Sequence, residues 1–466
     1  MTAEVVVMNR QAVALAADSA VTLGREHERK TFTSASKIFT LSKYRPVAIM
    51  LFGSASLMGV PWETVIKMYR RDVGRAAFGT LEEYSAHFLR WLKSSASLFP
   101  PSEQTRHVSE TVRTFLGREI LSDIQEEVEV VVGEKGRITE AHIGRIAKRV
   151  IARHYEKWES FVLLPCVPEN HASDVLSVYR DAIDGMIAEV MRAFQLRGKA
   201  MKQLTLICAS LFAKDFWGPQ TSGVVIAGFG EDEPFPSVRV WDIEGMANNC
   251  MKYREHTAAV DFDSSAYIAP FAERAMVYTF MEGIDPTLSQ LMQAGLRGIL
   301  EDFPEMVVES LSSLDEGAKQ ATLEQLGTAT ERLLEEYEQA VADYRRRFYA
   351  GPVLDVVDML PKAELAAMAE SLVSLTLVKR RVTWEYNTVA PPIDVAVVSK
   401  GDGFVWIQRK RYFDADLNPQ FFANYYREPD DEEEEQPSKE TSVQVDGGVP
   451  AGLHPGGSAT GEETTP

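Results

Sequence analysis

Short apolar segments separated by polar turns occupy the first 60 residues, and this feature constrains the fold most strongly. Runs of about four to eight apolar and β-branched residues, bounded by polar residues, are typical of β-strands. Four such runs precede any helical pattern, at residues 4–8, 12–17, 36–41 and 46–52. A sheet built from them must cover its apolar faces with other layers of secondary structure.

The pattern changes at Pro61, where apolar residues begin to recur at helical spacing and continue to do so, with interruptions, to about Lys202. Further strands are predicted at residues 204–211, 223–229, 237–243, 393–399 and 404–409, and further helices at 271–282, 286–348 and 361–379. The last two strands flank an Asp-Gly turn, which is a strong hairpin signal. This order predicts an α+β protein with two sheets between helical layers.

The chain has 466 residues, which is more than an ordinary single domain. We interpret it as one core with two helical insertions and an acidic tail. The predicted segments are N-terminal strands at 2–60, a helical insertion at 61–202, more of the core at 203–284, a second helical insertion at 285–360, C-terminal core elements at 361–427 and a tail at 428–466. The tail has few large apolar residues, so we expect disorder there.

Charge and composition exclude several classes of protein. A net charge of -19 argues against a nucleic-acid binder, whose affinity depends on Lys and Arg. Three cysteines without a CxxC pair and eight scattered histidines predict neither a disulfide framework nor a metal site. No phosphate-binding loop is present, so we expect no ATPase activity and no cofactor. Without a signal sequence or an apolar run of about 18 residues, the chain is expected to be cytoplasmic.

Thr2 is the first residue with chemical potential. Removal of Met1, which a small second residue permits, would leave Thr2 with a free α-amine. A threonine hydroxyl is a weak nucleophile by itself, but the amine of the same residue can accept its proton. Because many chains begin with Met-Thr, the prediction depends on the residues that follow.

Asp18 and Lys37 stand at the ends of predicted strands, where they could pair near the N-terminus. A neighbouring ammonium disfavours protonation of the α-amine and so keeps it a base. Gly53 closes the fourth strand, and its backbone N–H could stabilise an oxyanion. The alternatives are a surface ion pair of little consequence and a simple turn.

Together these residues resemble the catalytic β subunits of the proteasome and their bacterial relatives, which are N-terminal nucleophile hydrolases. The similarity is carried by Thr2, the Leu-Ala-Ala-Asp-Ser run that ends at Ser19, the Lys-Ile pair at Lys37 and the glycine at position 53. It implies a four-layer αββα sandwich, with Thr2 as nucleophile, Asp18 and Lys37 tuning the base, and Gly53 in the oxyanion hole. Weaker similarity at residues 225–245 and 392–399 extends it to about half of the chain.

The resemblance also implies supporting and pocket residues. The family's supporting serine would fall near residues 268–271, where this chain has none. The candidates for this supporting position, or for a second supporting position of the family, are Ser19, Ser264, Ser265, Glu385 and Thr388. Val21 and Leu51 would line the pocket and favour an apolar side chain at the cleaved residue.

The predicted reaction is attack of the Thr2 hydroxyl on an amide carbonyl, giving an acyl-enzyme that water hydrolyses. The resemblance implies peptide bonds as the substrate class and a ring-like homo-oligomer. If protein substrates are unfolded before cleavage, it implies a separate ATPase as the partner that unfolds them. Two alternatives stay open: a hydrolase of small amides and a catalytically inactive structural subunit of proteasome-like fold. The latter predicts retained Met1 or a blocked amine on Thr2.

Overall fold

The computed structural model describes residues 2–23, 30–194, 196–311, 315–384, 389–411 and 413–426. The described residues up to Lys410 form one compact unit, and the described residues from Arg411 onward belong to a second.

The strands of the described residues are β1 (Ala3–Asn9), β2 (Ala12–Ala17), β3 (Val21–Leu23), β4 (Lys30–Phe32), β5 (Ile38–Thr40), β6 (Val47–Gly53), β7 (Ser56–Leu57), β8 (Val60–Pro61), β9 (Ser222–Gly228), β10 (Ser237–Ala247), β11 (Cys250–Ala259), β12 (Ala266–Ala272), β13 (Asp394–Ser399) and β14 (Gly403–Gln408). The sequence pattern predicts four strands before the first helix, whereas the described residues of this stretch form eight. The additional ones, β3, β4, β7 and β8, have only two or three residues and leave no apolar pattern.

The helices are α1 (Trp62–Val73), α2 (Leu81–Ser94), α3 (Pro101–Phe115), α4 (Ser122–Lys135), α5 (Glu140–Glu159), α6 (His171–Val190), α7 (Lys199–Ser210), α8 (Ala275–Glu282), α9 (Pro286–Ser310), α10 (Glu316–Arg345), α11 (Gly351–Met359), α12 (Lys362–Val382) and α13 (Pro419–Tyr426). Two π-helical turns, Leu116–Leu121 and Arg346–Ala350, and a 3-10 turn, Arg192–Phe194, lie between them.

Two antiparallel five-stranded sheets form the centre of the first unit. The strand order is β12-β1-β2-β13-β14 in the first sheet and β11-β10-β9-β6-β5 in the second. In the first sheet Glu4 pairs with Ala17 on one side and with Phe271 on the other. The start of β1 therefore lies beside the end of β2, which brings Thr2 close to Asp18.

The apolar residues of each sheet divide between its two faces, as the two-residue period of a strand requires. Val6 and Met8 of β1 share one buried cluster with Ala48 and Met50 of β6, so the two sheets pack face to face. On the outer face of the first sheet, alternate residues of β1 and β2 pack against α8, α11 and α12. On the outer face of the second sheet, alternate residues of β6 and β9 pack against α1 and α2.

A separate apolar cluster holds the helical block from α3 to α7 together. The apolar run at residues 204–211 was a predicted strand, and this prediction is wrong, because α7 covers residues 199–210. Leu204 and Ile207 are buried among the neighbouring helices. A short apolar run fits a buried helix and a buried strand equally well, and only its neighbours decide between them.

The α9–α10 pair and the second unit complete the described structure. α9 and α10 pack against each other and keep many large apolar side chains exposed, including Leu291, Ile299 and Met306. In the second unit, α13 brings Phe421 and Phe422 into ring contact with Phe413.

The predicted α+β class is confirmed, and both five-stranded sheets are antiparallel. The six segment boundaries stay a prediction, and the predicted disordered tail at 428–466 lies outside the described residues. Among the residues described, no helix combines the length and the apolar composition needed to cross a membrane.

Candidate active site

Thr2 lies immediately before β1, and backbone hydrogen bonds hold it on both sides. Its carbonyl accepts the N–H of Glu273 at 3.0 Å, while the next N–H, that of Ala3, donates to Asp18 Oδ1 at 3.0 Å. Thr2 is 8% exposed. Its hydroxyl oxygen is buried and forms no hydrogen bond of normal geometry among the described residues.

Asp18 is fully buried at the end of β2 and is saturated with hydrogen-bond donors. Besides Ala3, the N–H groups of Ala20 and Ala390 donate to its carboxylate, each at 3.0 Å. The Lys37 ammonium donates to the same Oδ1 that Ala3 uses, at 2.5 Å. Because charge-assisted bonds from several directions fix this carboxylate, it positions both the N-terminal backbone and Lys37.

Lys37 is the only cation that forms ion pairs with both Asp18 and Glu4 in the described part of the chain. Its Nζ lies 2.5 Å from Asp18 Oδ1 and 3.0 Å from Glu4 Oε1, and its side chain is 7% exposed. The Lys37 carbonyl accepts the N–H of Leu51, which ties the residue to β6. An ammonium this deeply buried requires such partners, since an unpaired buried charge is strongly destabilising.

Glu4 is a site residue that the sequence analysis missed. It lies on the inner face of β1, together with Thr2, Val6 and Met8, and it is fully buried. Burial raises the pKa of Glu4 from 4.5 to about 7, and the Asp18 charge adds to this; the Lys37 ammonium and the Thr2 hydroxyl act in the opposite direction. Neither carboxylate oxygen of Glu4 has a hydrogen bond of normal geometry within the described residues.

Gly53 ends β6 in the left-handed region, with φ of +75°. A Cβ at this position would lie 2.6 Å from the carbonyl oxygen of Thr221, so glycine is required on steric grounds as well. The next residue, Ser54, donates its N–H to Thr221 of the loop before β9. Because bonded pairs alternate along an antiparallel ladder, Gly53 directs its own N–H away from β9, towards the side where Lys37 leads into β5.

Ser19 and the two candidate pocket residues have other surroundings. The Ser19 hydroxyl donates to the carbonyl of Pro392, and its N–H donates to Ala390 at 3.0 Å, so Ser19 anchors the loop before β13. Val21 is half-buried in the short strand β3, and Leu51 packs in the cluster between the second sheet and its helices. Their role as pocket residues stays a prediction.

Ser264 and Ser265 are not close enough to support Thr2, and this part of the prediction is wrong. They lie in the turn before β12, next to Ala266, which pairs with Asn9 at the far end of β1. The length of β1, about 20 Å at roughly 3.3 Å per residue, separates them from Thr2. The other two candidates, Glu385 and Thr388, lie outside the described residues.

Two further ion pairs lie near the site, and neither was predicted from the sequence. Lys410 Nζ lies 2.6 Å from Asp394 Oδ2, where burial and the Lys37 charge lower the pKa of the Lys410 ammonium, against the opposing pull of Asp394. Glu273, whose N–H binds the Thr2 carbonyl, pairs with Arg380 of α12. In the described part of the chain, no group of three or more His, Cys, Asp or Glu side chains could hold a metal ion.

No family model matches the chain, and no curated protein matches it. Among solved structures, it is similar to the helical assembly of the Anbu complex from Pseudomonas aeruginosa, at 9% identity and a TM-score of 0.28, over 94% of this chain and 98% of that one. It is also similar to an Anbu (Gly-1) mutant from Hyphomicrobium sp. strain MC1, at 10% identity and a TM-score of 0.24, over 96% and 100% of the two chains.

These findings contradict the identification of the chain as a proteasome β-type subunit. Neither a family model nor a curated relative supports that identification, and the two solved structures are Anbu proteins with TM-scores below 0.5. At such scores neither similarity bears on the function of this chain.

Proposed function

We propose that this protein is an amide hydrolase whose nucleophile is the hydroxyl of Thr2 and whose general base is the α-amine that removal of Met1 would expose. One observation carries the proposal. The Lys37 ammonium is buried between two carboxylates at the N-terminal end of β1, and the Thr2 hydroxyl is buried beside one of them, Glu4. This burial argues against the alternative that Asp18 and Lys37 form an ordinary surface ion pair.

In the proposed reaction the α-amine takes the proton from Thr2 Oγ1, and the oxygen attacks the carbonyl carbon of the amide. The negative charge that develops on the carbonyl oxygen is stabilised by a backbone N–H, for which Gly53 is our candidate. Breakage of the carbon–nitrogen bond releases the amine product, which takes the proton back from the Thr2 ammonium. Water then hydrolyses the ester, with the same amine as base.

Electrostatics support the amine as base. A terminal α-amine has an ordinary pKa of about 7.7 to 8.0, so it is largely protonated at neutral pH. The positive charge of Lys37 disfavours that protonated form. Asp18 accepts both the Lys37 ammonium and the N–H of Ala3, so a single carboxylate sets the distance between the base and the cation that tunes it.

The substrate class and the assembly state belong to the same proposal. We favour peptide bonds with an apolar residue before the cleaved bond, on the basis of Val21 and Leu51, and an αββα arrangement of the two sheets and their outer helices. We also propose a homo-oligomer, because α9 and α10 expose many large apolar side chains. Large exposed apolar patches on a protein surface mark sites of protein–protein contact. Light scattering that gives only the 52.0 kDa monomer would remove the oligomer.

The deciding experiment is the intact mass of purified protein before and after incubation with a peptide epoxyketone, which reacts with a threonine hydroxyl and its α-amine together. We expect loss of Met1 and a single adduct on the wild type and on Thr105→Ala, a control on the exposed face of α3. Thr2→Ala should form no adduct. Retained Met1 or a blocked amine, with no adduct on any variant, would instead favour the structural-subunit alternative.

A further inference from the structure

Glu4 is an unusual residue for its position. It lies on the inner face of β1, where the following residues of that face, Val6 and Met8, are apolar and belong to the cluster between the two sheets. Removing a carboxyl group from water is costly, and an apolar side chain in such a place is often as stable or more stable. A buried acid that does not improve packing is therefore a candidate for a functional role.

The charged groups around Glu4 come from each neighbouring element. Lys37 approaches from the start of β5 and Asp18 from the end of β2, while the α-amine of Thr2 would lie two residues upstream on the same strand face. The partner strand β12 presents Phe271 opposite Glu4. Two further pairs among the described residues lie nearby, Glu273 with Arg380 and Asp394 with Lys410.

The geometry points to Glu4 as a proton-sensitive positioning residue, which acts through Lys37 to set the pH range in which the Thr2 α-amine is a free base. This inference rests on the proposed function. It depends on one arrangement, namely that the single Lys37 ammonium is shared by two buried carboxylates, one of which is on the same strand face as the nucleophile.

The direction of the effect follows from counting charges. While Glu4 is neutral, the charges of Lys37 and Asp18 balance each other, and the adjacent amine lies beside a pair with no net charge. When Glu4 ionises, the cluster has one excess negative charge, which favours the protonated amine. The measured pKa values of Glu4 and the amine would then belong to the coupled pair. Burial raises the pKa of Glu4, so Glu4 stays protonated to higher pH. The amine then has no excess negative charge beside it near neutral pH, which helps it to act as a base there.

The test is the second-order rate of epoxyketone adduct formation between pH 5.5 and 9, followed by intact mass on the full chain. Wild type is compared with Glu4→Gln and with Glu63→Gln, an exposed control on α1. For Glu4→Gln we expect the rates to approach those of the wild type near pH 5.5, where Glu4 of the wild type is itself largely protonated. Between pH 7 and pH 8, where Glu4 ionises, the acidic limb of the variant should lie at lower pH and labelling should be several-fold faster, and the rates should converge again by pH 9. Glu63→Gln should follow the wild type.

Three outcomes would overturn the inference. An unmoved limb in Glu4→Gln would show that Glu4 does not influence the amine, and the proposed function would stand. A uniform loss of rate at all pH values would show that Glu4 is needed for folding or as the base itself. Glu4→Leu replaces the ionisable group with an apolar side chain and separates these two explanations. If Glu4 is the base itself, Glu4→Gln and Glu4→Leu both fold but form no adduct. If Glu4 is needed for folding, the loss of rate comes with a loss of the folded protein. Wild type that forms no adduct at any pH would remove the proposed function and the inference together.

Discussion

Replacing Glu4 with glutamine should change how the stability of the protein depends on pH. Glutamine has nearly the same shape but cannot ionise, so it isolates the effect of the carboxyl charge. Burial raises the pKa of Glu4 from 4.5 to about 7. Between these two pH values the folded protein keeps a proton that the unfolded chain has released, so the free energy of unfolding of the wild type falls as pH rises.

The magnitude follows from the size of the shift. One pKa unit corresponds to about 1.4 kcal/mol, so the rise from 4.5 to about 7 amounts to about 3 kcal/mol. This stabilisation is fully present below pH 4.5 and is lost once the pH exceeds about 7. We therefore expect Glu4→Gln to gain about 3 kcal/mol relative to the wild type between pH 4.5 and pH 8.

Urea unfolding at both pH values measures this difference, and the comparison of two proteins cancels the pH dependence of all other groups. Glu63→Gln is the control, because its carboxylate is about half exposed and pairs with Lys67 on the surface of α1. A relative stability of Glu4→Gln that stays constant to within about 1 kcal/mol would refute the reasoning, since Glu4 would then ionise in the folded protein much as it does in the unfolded chain.

Three further perturbations test the site and its surroundings. Lys37→Met should lower the free energy of unfolding by about 3–5 kcal/mol at pH 8, because it leaves two buried carboxylates without their cation, and urea unfolding will measure it. Gly53→Ala should destabilise the protein by about 1–3 kcal/mol and slow epoxyketone labelling far more than Ser54→Ala does, because its φ of +75° disfavours alanine and the new Cβ would lie 2.6 Å from the Thr221 oxygen. Burial lowers the pKa of His107 from 6.5 to about 4, so the wild type should lose about 3 kcal/mol as pH falls through this window, whereas His107→Leu should not; urea midpoints at pH 4 and pH 7 decide.

The strands that lie inside the two sheets were all predicted from the sequence, and so were the edge strands β5 and β14. β1, β2, β6 and β9 have neighbours on both sides and are buried on both faces, so they appear as continuous apolar runs. β11 and β12 were missed, and both are edge strands. β11 exposes Glu255, His256 and Thr257, while β12 contains Pro270, which only an edge strand tolerates well.

The candidate site was predictable only where a charged residue ends an apolar run. Asp18 and Lys37 stand at such boundaries, and the structure brings them within 2.5 Å of each other. Glu4 lies inside a strand, and it becomes a site residue because it pairs with Lys37. Lys37 immediately precedes β5 of the second sheet, which begins more than 30 residues later in the chain. The alternation of strand residues does put Glu4 on the same face as Thr2, which is the one signal in the sequence that could have identified it.

The arrangement couples Thr2 to the region between the two sheets. Asp18 accepts the N–H of Ala3 and the Lys37 ammonium through the same oxygen, while its second oxygen accepts the N–H groups of Ala20 and Ala390. The position of Thr2, the position of the cation and the path of the loop before β13 therefore depend on one carboxylate. A packed core alone would be better served by apolar residues at these positions. Folding assembles this charged cluster around Thr2. The free-energy cost of burying its charges is explained if the cluster positions Thr2 for catalysis.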